Sequence, residues 1–71
     1  MKIQNIEDAM KFIQNNLNNY EMFKDLSADE IRIILELYKH AKSRSYWKLV
    51  NEFRMIAHVL VERLLELVEN E

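Results

Sequence analysis

Few side chains in this sequence could do chemistry. His40 and His58 are the only imidazoles, and no cysteine is available as a nucleophile or thiolate ligand. Each histidine has a glutamate four residues away on the same helical face, Glu36 and Glu62 respectively. Such a pair could pass a proton or begin a metal site, but it is equally an ordinary helix-surface pair. A carboxylate di-iron bundle needs Glu-x-x-His repeats, which are absent. There is no Ser/His/Asp set with a local signature, and without glycine there is no phosphate-cradling loop. The helices described below are too few and too short to enclose a polar pocket. An enzyme is therefore not expected, and neither is a cofactor, a metal or a small-molecule substrate.

A second grouping is electrostatic. Lys39, Lys42, Arg44 and Lys48 cluster around Ser43–Ser45, with Tyr46 and Trp47 interleaved. Cations among aromatics could grip phosphates and stack bases, and two helices joined by a short turn resemble a helix-turn-helix. The alternative reading is thus a small nucleic-acid-binding or replication/transcription auxiliary protein, in contact directly or through a partner. Against it stand a net charge of -2 and the apolar Tyr46, Leu49, Val50 and Phe53 in the first turns of the would-be recognition helix. Basic residues ending a helix also complement its dipole with no ligand at all. The far end of the chain is acidic, with Glu62, Glu66, Glu69 and Glu71. There the dipole disfavours anions. That implies a frayed last turn or a basic partner, such as the basic turn of a second, antiparallel copy.

Helices must position these groups, since the chain has no Gly and no Pro and is 49% hydrophobic. From Tyr46 to Val68 apolar residues recur at alternating steps of four and three: Tyr46, Val50, Phe53, Ala57, Leu60, Leu64, Leu67. That is the seam of a long amphipathic helix over about 46–69. A first helix over about 6–18 has Asn5 as N-cap and a stripe of Ile6, Ala9, Met10, Ile13 and Leu17. Asn18 or Asn19 is its natural left-handed stop, after a lead-in, Met1–Gln4, expected to fray. Phe23 and Leu26 should tuck under the bundle end. Ser27 and Glu30 have the spacing of a capping box, with Leu26 and Ile31 as its hydrophobic staple. They open a second helix over about 28–42. Its stripe lies about 100° out of phase with the third, so a turn capped by Ser43 or Ser45 must separate them. The expected fold is all-α: one domain, 1–71, a three-helix bundle with two short helices packed on one long C-terminal helix.

A chain this small is marginal alone, burying only about 60% of its unfolded surface, and disulfides cannot help it. Apolar runs of a few residues are too short for a bilayer span or a signal-peptide core. A cytoplasmic protein with no membrane contact is expected. The apolar arc of the third helix is too long for two shorter helices to cover. Met55 and Val59 also interrupt its polar face, among Lys48, Glu52, Glu62 and Glu66. The expected function is therefore a non-catalytic protein–protein interaction module. It would be a small accessory subunit of a larger complex or a homodimer, binding through Trp47, Met55, Val59, Leu65 and Val68.

Overall fold

The computed structural model describes residues 2–70. Met1, counted in the lead-in, and Glu71, counted with the acidic end, lie outside the described residues. The architecture is an all-α three-helix bundle: α1 (Ile6–Asn15), α2 (Ala28–Ser43) and α3 (Trp47–Glu69). A 3₁₀ turn, Tyr20–Phe23, lies between α1 and α2.

Local chemistry sets the ends of these elements. The Asn5 side chain accepts a hydrogen bond from the Asp8 N–H at 2.8 Å and starts α1. The helix stops three residues before the periodicity suggests. Asn16 causes this: its side-chain amide donates to the Phe12 carbonyl at 2.8 Å and its backbone N–H turns to Ile13, competing with the next helical bond. Neither Asn18 nor Asn19 adopts a left-handed conformation. The one positive φ among the described residues is 59° at Ser45. There the Tyr46 N–H donates to the Ala41 carbonyl at 2.9 Å and the Ser45 N–H to Lys42 at 3.2 Å. These are the paired bonds of a Schellman motif. Ser45 therefore closes α2 rather than capping α3, whose N-cap, Tyr46, makes no side-chain bond.

The capping box forms as the spacing requires. The Ser27 hydroxyl accepts from the Glu30 N–H at 3.1 Å, and one Glu30 oxygen accepts from the Ser27 N–H at 2.9 Å. The other Glu30 oxygen accepts from the backbone N–H groups of Lys2, at 2.9 Å, and Ile3, at 3.1 Å. From Lys2 onward the lead-in is thus pinned rather than frayed. Ile3 is fully buried, while Ile6, expected on the core stripe, is exposed. Glu30 itself is only 5% exposed. Burial pushes its carboxyl up, but the bonds from Ser27, Ile3 and Lys2 outweigh that and hold it below the ordinary 4.5.

The core is assembled from every segment. Ile3, Ala9 and Ile13 meet Phe23 and Leu26, then Ile31, Ile34, Leu37 and Ala41 of α2. Leu49, Val50, Phe53, Ile56, Val59 and Leu60 of α3 complete it. Phe12 stands edge-on to Phe23 at 5.1 Å, fastening the 3₁₀ turn to α1.

Two substitutions test these local devices by chemical denaturation. Glu30→Gln leaves a buried N–H facing an amide and is expected to lose about 1–3 kcal/mol. The depressed Glu30 pKa contributes stability above its ordinary 4.5 that is lost as pH falls through the lower folded value, so the wild type should weaken on acidification more steeply than Glu30→Gln. Ser45→Gly relieves the positive φ and is expected to gain about 0.5–1 kcal/mol. A loss at that position would contradict the left-handed assignment.

Candidate docking surface

α3 outruns its companions. Its 23 residues rise about 35 Å, against about 15 Å for the 10 of α1 and about 24 Å for the 16 of α2. Leu60 is its last buried residue. Beyond it Leu64 and Leu67 are half-buried, whereas Val61, Leu65 and Val68 are 54%, 55% and 65% exposed.

The seam is also rotated from the one the periodicity suggests. Core contact passes through Ile56 and Val59, and Ala57, expected in the seam, faces outward. The 3₁₀ turn and the residues after it explain the rotation. Tyr20 stacks edge-on against His58 at 5.2 Å, and the Arg63 Nε–H donates to the Leu26 carbonyl at 2.7 Å. The connection therefore lies along that flank of α3. Val59, between these two anchor points, is only 6% exposed. This corrects the expectation that Val59 stands on a polar face as half of an exposed pair. Met55 is left as a single exposed residue, at 48%.

On the opposite flank the rotation opens a groove between α2 and α3. Leu35, Tyr38, Phe53, Arg54, Ala57, Leu60, Val61 and Leu64 line a volume of about 200 Å³. The Tyr38 and Phe53 rings, 4.8 Å apart and tilted at 41°, form part of its wall. The Lys42 ammonium lies 5.3 Å over the Tyr38 ring, a cation–π contact. Arg54 forms no ion pair with another described residue. Leu65 and Val68 continue the apolar strip past the groove along the same side of α3.

Of the five residues singled out by sequence, only Leu65 and Val68 belong to this strip. Trp47 is exposed but lines a separate shallow hollow with Tyr46, Met10, Gln14, Lys48, Leu49 and Glu52. Leu35, Ala57 and Val61 were missed as surface residues because periodicity put them on core faces. The signal that could have found them is the apolar connection Tyr20–Leu26, which had to cover one flank of α3 and so free the other.

The basic cluster sits at one end of the bundle. Lys39 and Lys42 lie in the last turns of α2, Arg44 is its C-cap and Lys48 is in the first turn of α3, all exposed. Lys39 pairs with Glu36 at 3.5 Å. Among the described residues no three His, Asp or Glu side chains gather to hold a metal ion, and no helix is long and apolar enough to cross a membrane.

Compared with protein-family models, curated proteins and solved structures, the chain matches none.

Val59 and Met55 should respond differently to truncation. Val59→Ala is expected to cost about 1–3 kcal/mol, as burial demands. Met55→Ala should stay within about 0.5 kcal/mol of wild type. Equal effects in thermal or urea unfolding would contradict the covered flank.

Proposed function

We propose that the protein is a non-catalytic docking module, a small accessory chain that joins a larger assembly. It binds through the strip formed by Leu35, Ala57, Val61, Leu64, Leu65 and Val68. The observation that carries this reading is a contiguous apolar strip along a helix that its own companions leave half uncovered. Water is a poor solvent for such a strip, and covering one half-exposed aliphatic side chain gains about 1 kcal/mol. An apolar groove between two helices suits an amphipathic helix that lays anchors at three- and four-residue steps into it. Ala57 has only a methyl group, so the backbone of an incoming helix can approach α3 closely there.

The test is a double charge placed on the strip. Val61→Asp with Leu65→Asp substitutes exposed positions, so helix content by circular dichroism should match wild type. The double variant, captured from its native cell, is expected to lose the protein chain that wild type retains. Retention of the same partner would contradict the proposal. A nucleic-acid role has a different signature: binding that weakens steeply with salt and disappears in Lys42→Ala with Arg44→Ala. The docking reading expects that basic-end variant to keep its protein partner.

A further inference from the structure

The charges along α3 say what docks on it. α2 places charge as its dipole favours, with Asp29 and Glu30 opening it and Lys42 in its last turn, and Glu7 and Asp8 likewise open α1. α3 reverses the order. Its first turn holds no acid and its last turn no base. Lys48 stands near its start, and Glu66 and Glu69 near its end. Within one chain this arrangement is unfavourable, and Arg63, 3.3 Å from Glu66, offsets only part of it.

The apolar strip carries the same polarity. Arg54 lines one end of the groove, with the Lys42 ammonium over the neighbouring Tyr38 ring. Ala57 and Val61 form the middle. Leu65 and Val68 occupy the other end, with Glu69 beside Val68 in sequence. A strip that is basic, then apolar, then acidic is complementary to itself when reversed, which is the requirement for a two-fold interface.

We infer that the occupant is a second copy of this chain, docked antiparallel about a two-fold axis near Val61. The inference rests on the docking surface proposed above and names its partner. Arg54 and Val68 each lie seven residues, two helical turns, from Val61, so they meet across the axis. Ala57 and Leu65 each lie four residues away and also meet, a small residue receiving a large one. Glu69 of each copy then reaches Arg54 of the other. Antiparallel pairing also sets the two helix dipoles in opposition. A groove built for an unrelated apolar helix would need no such reversal of charge along α3.

Sedimentation equilibrium of the purified full chain is expected to show a reversible, concentration-dependent dimer. Arg54→Glu should weaken it at least tenfold, and Arg54→Glu combined with Glu69→Arg should restore it. Restoration by the second change separates charge pairing from misfolding. Because the chain has no cysteine, Val61→Cys places a single thiol at the axis. Mild oxidation should link two such copies, while Met55→Cys, on another face, should not link. A wild type that is monomeric at every concentration, a failed charge restoration, or equal linking of the two cysteine variants overturns the antiparallel pair. If Val61→Asp with Leu65→Asp still strips a cellular partner from such a monomer, the docking surface stands with another protein as its occupant. A dimer that persists in that double variant overturns the surface as well.

Discussion

A helix of 23 residues rises about 35 Å, and helices of 10 and 16 residues reach about 15 and 24 Å along it. That difference in length cannot be repacked away. From Val61 to Glu69 no residue of α3 is buried, although five of the nine are aliphatic. The N-terminal half of α3 behaves as the centre of a small domain. The C-terminal half behaves as an exposed arm with one apolar side.

What the short segments lack in length they offset by being tied down. The Glu30 carboxylate accepts three backbone N–H groups, holding the lead-in against the start of α2 and drawing Ile3 into the core. The Leu26 carbonyl accepts from Arg63, which joins the start of α2 to the far half of α3. The left-handed Ser45 turns the chain so that α2 and α3 present their apolar stripes to one another. By contrast the ion pairs of the described residues are three or four positions apart and exposed on at least one side, so water screens them and they contribute little. In a chain of 71 residues without a disulfide, specific buried hydrogen bonds and close packing take the place of covalent links.

How much of this was legible beforehand depends on whether the cause was local. Asn5 and the Ser27–Glu30 box act within one turn, and the residues alone place them correctly. The burial of Phe23 and Leu26 was likewise readable, because apolar residues in a connection need cover. The second role of Glu30 was not, since its bonds to Lys2 and Ile3 span 28 and 27 residues of sequence. The rotation of α3 was not either. Its apolar arc covers about half the circumference, so several neighbouring seams satisfy the same periodicity. The choice among them was made by the connection lying over Val59, a tertiary contact that α3's own pattern does not encode. The exposed strip shared that fate: the exposure of Leu65 and Val68 was legible because they lie past the reach of the shorter helices, whereas that of Ala57 and Val61 needed the rotation to be known.

The uncovered strip can be measured residue by residue through amide hydrogen exchange at low and at high protein concentration. Dilute protein should show strong protection from Val50 to Leu60 and weak protection from Val61 to Glu69, with the latter segment gaining protection as concentration rises. Protection of Val61–Glu69 equal to that of the core at the lowest concentration, and unchanged on concentrating, would contradict an arm that needs a second chain to cover it.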